Sequence, residues 1–368
     1  MSNITYIFTS GRSDKVNNKN YADDFFYGCR YLSEDFDINI IEFSKVNKFF
    51  KKIEHILSKV LSLPFYVFSL LSFDKIKIIL NSNKIVLVSE STAFAILPIL
   101  LFSKKKRNIQ VYLFVMGLYS KNLNYKFASM LHKFFIKFLY KYIDKLFFLG
   151  YPEYLNAINL HQENNKIFYR PFCVDVSFWT QYSNTENFMN RDILFIGNDG
   201  NRNYELLLEI ATLMNDYNFS FVSSNTKLTN SNLKNIKVFN GNWSVGKYDD
   251  LYIKNIYQKS SLVILPINNS YQPSGQSVAL QAMSMGKSVM ISKTKGFWSE
   301  FDFQHKENII FVDSNDANEW KKEIEYYFEN MNISNQISKK SRNLVREKYN
   351  LEKFNKQLVL DLNLSNTI

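Results

Sequence analysis

Two stretches bring together residue types that bind anions. In the first, Pro273-Ser274-Gly275 precedes Gln276–Gly286, where Val278, Ala279, Ala282 and Met283 recur at helical spacing. Free backbone N–H groups and serine hydroxyls at a helix N-terminus form a site for a phosphate. Gly286 stands where such a helix must stop, since glycine takes the left-handed conformation without a steric penalty. Apolar runs at Ser261–Pro266 and Ser288–Ser292 complete a βαβ unit with an anion-binding mouth; an ordinary loop and helix start is the alternative reading. The second stretch is Asn198-Asp199-Gly200-Asn201-Arg202-Asn203, between a strand-like Asp192–Gly197 and a helix-like Tyr204–Met214. The planar guanidinium of Arg202 can bond two phosphate oxygens at once. The alternative is a loop arginine in solvent.

QPSGQSVALQAMSMGKSVMIS resembles the donor-binding motif of retaining GT-B glycosyltransferases of family 4, roughly E-x-F-G-x-x-x-x-E-A-M-A-x-G-x-P-V, with Ala282-Met283, Gly286 and Val289 in matching positions. Lys166–Trp179 is similar to the end of that family's first domain through Pro171, Val174, Asp175 and Phe178, with Cys173 in place of a Gly. The family opens its second domain with F-V-G-R-x-x-x-x-K-G. Aligned on Leu206-Leu207-Leu208-Glu209, its Lys falls on Arg202 and its Arg on Asn198. The resemblance implies a retaining transfer of a sugar from a nucleoside-diphosphate donor to an acceptor hydroxyl, with Arg202 as a catalytic group on the diphosphate. Asn198, Ser274, Gly275, Gln276 and Ser277 would line the donor. Gln281 would hold the ribose, and Trp243 would stack on the base. Gly296 lies in a turn facing the donor, and Gly11 in the loop after the first strand. The resemblance implies no metal and no cofactor besides the donor sugar itself. The chain departs from the pattern in three places. Gln281 replaces the ribose Glu, no carboxylate replaces the first Glu (Gln272 and Gln276 are nearest), and no His ends the strand Gln110–Val115. A neutral amide hydrogen-bonds hydroxyls but does not stabilise positive charge as a carboxylate does.

Glu90 and Gly117 lie just past predicted strands, on the rim where open α/β sheets bind ligands. Glu90 is the acidic candidate for the acceptor hydroxyl; a helix N-terminal acid is the alternative. The elements that must position all these residues alternate strand and helix from end to end, which predicts parallel sheets. The expected architecture is α/β, of GT-B type, with two facing Rossmann-like, doubly wound domains and a cleft between them. Residues 1–184 would bind the acceptor, residues 185–350 the donor, and residues 351–368 form a tail crossing back to the first domain. The polar Thr180–Asn190 reads as the linker.

The length of 368 residues and an apolar content of 46% suit two cored domains. Two cysteines and four histidines give neither a disulfide framework nor a metal cluster. The N-terminus runs straight into a strand-like segment, so a cytoplasmic protein is expected. The net charge of +11 is lopsided: residues 1–180 carry +10 and the remainder +1. A basic half points to an anionic partner or to a solvated lysine surface. Lysines interleave with large apolar side chains in Lys45–Phe73 and Lys121–Lys145. In the first, Phe49, Ile53, Ile56, Leu57 and Val60 form a stripe; in the second, Lys133, Lys137 and Lys141 share a face. Such helices suit an anionic membrane surface, with peripheral attachment to the inner face of the cytoplasmic membrane and a glycan or lipid-linked acceptor as in polysaccharide or lipopolysaccharide synthesis. A helix packed on the sheet with a wet face is the other reading. A catalytically inactive GT-B binding or scaffolding subunit is the alternative function. No nucleic-acid motif occurs, and no G-x-G-x-x-G follows a strand, so a nucleic-acid binder and a dehydrogenase rank last.

Overall fold

The computed structural model describes residues 3–61, 63–120, 126–162, 165–181, 190–241 and 248–364. Its strands are short apolar runs such as ITYIF, KIVL, DILFI and LVIL, and most of their residues are buried. That composition fits parallel strands covered on both faces. The chain divides into two units. Unit 1 comprises Met1–Asn18, Phe25–Pro171 and Asn355–Ile368; unit 2 comprises Lys19–Asp24 and Phe172–Phe354.

Unit 1 contains β1 (Ile4–Phe8), α1 (Cys29–Leu32), β2 (Ile38–Glu42), α2 (Lys48–Leu61), α3 (Phe73–Leu80), β3 (Lys84–Leu87), α4 (Glu90–Arg107), β4 (Gln110–Val115), α5 (Lys126–Tyr142), β5 (Lys145–Phe148), α6 (Tyr151–His161) and β6 (Ile167–Tyr169). Its parallel sheet has the order β2-β1-β3-β4-β5-β6, so the winding direction reverses between β1 and β3. Unit 2 contains β7 (Asp192–Ile196), α7 (Tyr204–Leu213), β8 (Asn218–Val222), α8 (Thr226–Thr229), β9 (Ile236–Phe239), α9 (Asp250–Lys259), β10 (Leu262–Leu265), α10 (Gln276–Ser284), β11 (Ser288–Ser292), β12 (Ile310–Val312), α11 (Ala317–Glu329) and α12 (Met331–Lys348). Its order is β12-β11-β10-β7-β8-β9, again all parallel. Counted from β7, this is the Rossmann order 3-2-1-4-5-6, with its switch point between β7 and β10. Pairing between these two strands covers only Leu262 with Ile193 and Val263 with Leu194.

The last helix, α13 (Leu351–Asp361), begins in unit 2 and ends in unit 1. Within unit 1, Arg170 grips Asp361 with two bonds of 2.6 and 2.8 Å, and Lys145 Nζ donates to the Asp361 carbonyl. A planar fork on a carboxylate fixes this end firmly.

Two stretches show how local chemistry sets the elements. The run Lys104–Arg107 forms the last turn of α4. Lys and Arg are good helix formers, and the stop comes at Asn108, in the left-handed region with φ 51°. Asp23–Leu32 is not one helix: a 3-10 turn at Asp24–Phe26 and the single turn α1 are separated by Tyr27 and Gly28, both at positive φ.

Candidate functional site

Arg202 is held by main chain on both sides of the switch point of unit 2. It pairs with Ile267 in an isolated bridge, Asn203 N donates to Pro266 O at 3.0 Å, and Asn268 N donates to Asn201 O at 2.8 Å. The loop after β7 is thereby stitched to the loop after β10. The arginine side chain lies over Gly197: a β-carbon there would stand 2.3 Å from Nε, so only glycine allows the approach. The guanidinium also passes Gly275, whose hypothetical β-carbon would be 3.1 Å from Nη1.

This guanidinium is an unusual buried charge. Arg202 is only 5% exposed. Its ion pair is with Asp199, Nη2 to Oδ2 at 3.3 Å. Nε and Nη1 have no hydrogen-bond partner among the described residues. Burial works against the charge, and Asp199 offsets part of that effect. A buried charge with unmet donors is costly unless a ligand supplies acceptors.

The start of α10 lies beside it. Gly275 is the N-cap at φ 82°, and no side chain caps the helix. The first-turn N–H groups and the positive end of the helix dipole therefore add to the Arg202 charge. Asn201 Nδ2 donates to Ser274 Oγ at 2.8 Å and to Gln272 Oε1 at 2.9 Å, which fixes the loop before the helix. Gln276 is buried, and Ser277 is half-buried in the first turn. Gly296 is a close approach of two loops, since a β-carbon would sit 2.3 Å from the Tyr271 carbonyl carbon.

Gln281 is engaged within the protein. It is buried, its Nε2 donates to Asp24 Oδ2 at 2.8 Å, and its Oε1 accepts from Tyr257 at 3.3 Å. Asp24 also accepts from Trp179 Nε1 at 2.7 Å and from Asp175 N at 2.7 Å. Burial drives the Asp24 carboxyl up to about 7 against these bonds. A Glu at position 281 would set a second carboxylate against Asp24, which accounts for the Gln. Asn198 is engaged as well: Nδ2 donates to Gly241 O at 2.6 Å, and Oδ1 accepts from Ser224 N at 2.6 Å and Ser223 Oγ at 3.1 Å. It ties β7 to the segments after β8 and β9. Trp243 lies outside the described residues.

The two candidates in unit 1 flank its own switch point. Gly11, after β1, is exposed at φ 68° with open space around it. Glu90, after β3, is buried; its Oε1 accepts from Met116 N at 2.5 Å and Leu118 N at 3.2 Å. Glu153 accepts from Gly117 N at 3.0 Å and Tyr119 N at 2.8 Å, and burial and Glu90 raise its carboxyl to about 8. Two buried carboxylates thus clamp the loop after β4.

Sequence reasoning missed Gly197, Asn201, Tyr257 and Asp24. Gly197 was legible as a glycine closing an apolar strand. Asp24 left no signal, because it reaches unit 2 from a segment remote in sequence.

Residues 190–330 match the family model described as Glycosyl transferases group 1. No curated protein matches the chain in sequence. Among solved structures, the chain resembles sucrose-phosphate synthase from Thermosynechococcus elongatus at 13% identity and a TM-score of 0.73, over 99% of this chain and 98% of that one. It resembles HepE from Anabaena in complex with UDP and glucose at 11% identity and a TM-score of 0.69, over 99% and 100%. A glycosyltransferase from Rickettsia africae matches at 14% identity and a TM-score of 0.62, over 99% of both chains. The chain thus has the GT-B fold of two Rossmann-like domains, and its residues 190–330 match the model of the Glycosyl transferases group 1 family.

Proposed function

We propose that this protein transfers a glycosyl group from a nucleoside-diphosphate sugar to an acceptor hydroxyl. The observation that carries the reading is Arg202, a buried cation with two unmet donors, beside the uncapped N-terminus of α10 at a Rossmann switch point. That arrangement suits a diphosphate, whose charge grows as the glycosidic bond breaks. Donors already in place need no reorganisation when the charge develops, and this is a large source of catalysis. Positive charge comes from Arg202 and the helix, so the reading requires no metal at the leaving group. Attack from the face of departure gives retention, in keeping with the resemblance, and needs no protein nucleophile. HepE, in complex with UDP and glucose, makes UDP-sugars the first donors to offer. A surface glycan or its lipid-linked precursor is the acceptor class.

The test is to incubate the purified protein with UDP-glucose and its relatives, follow nucleotide release, and read the anomeric configuration of any product by NMR. The expected outcome is release of UDP, or of another nucleoside diphosphate, with the product retaining the donor's configuration. An inverted product would overturn retention. Tight donor binding with no release under any condition would favour the scaffolding subunit, a reading motivated by the engagement of Gln281 and Asn198 within the protein.

A further inference from the structure

The apolar stripe of α2 faces water. Phe49 is 66% exposed, Val60 59% and Ile56 50%, while the buried acid Glu54 points inward and accepts from Phe68 N at 2.8 Å. The helix therefore turns a carboxylate to the protein and its hydrophobic residues to solvent, the reverse of a helix docked by its apolar face. The neighbouring helix α5 buries Ile136 and Leu139 in the core, yet leaves Phe127, Met130 and Phe134 exposed. Phe102, near the C-terminal end of α4, which packs on α5, is exposed too. Exposed apolar side chains gathered on helices that pack on one another mark an interaction site.

The charge beside these stripes has one sign. Lys48, Lys52 and Lys59 flank the stripe of α2, and Lys133, Lys137 and Lys141 flank that of α5, all exposed. Glu54 is the sole acid in α2, and α5 has none. We infer that the α2–α5 face of unit 1 docks on an anionic phospholipid surface, the aromatic and aliphatic side chains entering the interface and the lysines meeting head groups. A second copy is a poor occupant, because a two-fold contact would set lysines against lysines. A bilayer takes both features, lysine stems lying along the apolar layer with their charges at the head groups. No helix among the described residues is long and apolar enough to cross a membrane, so the docking is interfacial.

Flotation of the full chain with vesicles of phosphatidylglycerol and phosphatidylcholine, without nucleotide or acceptor, tests this apart from any transfer activity. Binding is expected at low salt, weaker binding at high salt, and little to phosphatidylcholine alone. The variant Lys52→Gln/Lys59→Gln/Lys137→Gln should lose roughly a hundredfold in partition, at about fivefold per charge. Phe49→Ser/Val60→Ser/Phe134→Ser should lose binding comparably. These side chains are exposed, so thermal unfolding should match the wild type. A control triple, Lys321→Gln/Lys322→Gln/Lys340→Gln in unit 2, should bind as wild type. Absence of wild-type flotation at low salt, or equal flotation of all three variants, would overturn the inference. So would a dimer in solution that the Phe49 variant dissociates, without flotation.

Discussion

Two buried charges, Arg202 and Asp24, set the character of unit 2. Among the described residues Arg202 lacks acceptors for Nε and Nη1, whereas Asp24 has three donors and is still pushed up to about 7 because burial outweighs them. The folded state thus favours the protonated Asp24 carboxyl over its ordinary value of 3.8. Its contribution to stability is complete at low pH, declines as pH rises from about 4 to about 7, and is constant above. Gln281→Glu adds a second carboxyl at that contact. Two carboxyls in contact share a proton, so the variant should lose about 2–4 kcal/mol at pH 8 and recover most of it at pH 5. Urea unfolding at both values reads this; the same loss at both would mean that shape, not charge, selects Gln.

The loops after β7 and β10 act as one element because main-chain bonds join them around Arg202. Gly197→Ala tests that dependence. Its β-carbon meets Nε at 2.3 Å, so the guanidinium must move, with an expected loss of about 1–3 kcal/mol in stability and most of the affinity for a nucleoside diphosphate. Unchanged affinity would show that the arginine can reach its ligand from another rotamer. Much of this level was legible in the sequence. Apolar runs announced nearly every strand, and Gly286, in the left-handed region, stops α10 where the sequence placed it; the end of α4 at Asn108 was not legible, because the charged run before it also suits a turn. The stripe of α2 was legible as a period, but a period does not say which side meets the protein; the buried Glu54 does. The engagement of Gln281 was hidden because its partner, Asp24, is brought to unit 2 by tertiary structure alone. The backbone bonds of Asn198 were hidden too, because Gly241 and Ser224 reach it only through the fold.

At the scale of the molecule, residues 1–180 carry nearly all of the net charge, while Arg202 and the start of α10 sit in unit 2, within the nearly neutral remainder. The proposed donor site would therefore rely on a local charge, not on the general field of the protein. Arg202 is central to that claim, so calorimetric titration of UDP, GDP and ADP against their nucleosides is the most direct test, on wild type and Arg202→Ala. The wild type should bind one diphosphate at least tenfold more tightly than its nucleoside, or about 1.4 kcal/mol. Arg202→Ala should lose about 2–5 kcal/mol for that diphosphate and little for the nucleoside. Its ligand-free melting temperature should hold or rise, since a buried charge has gone. A wild type that binds none of these diphosphates, or an Arg202→Ala protein that binds the diphosphate undiminished, would contradict the account.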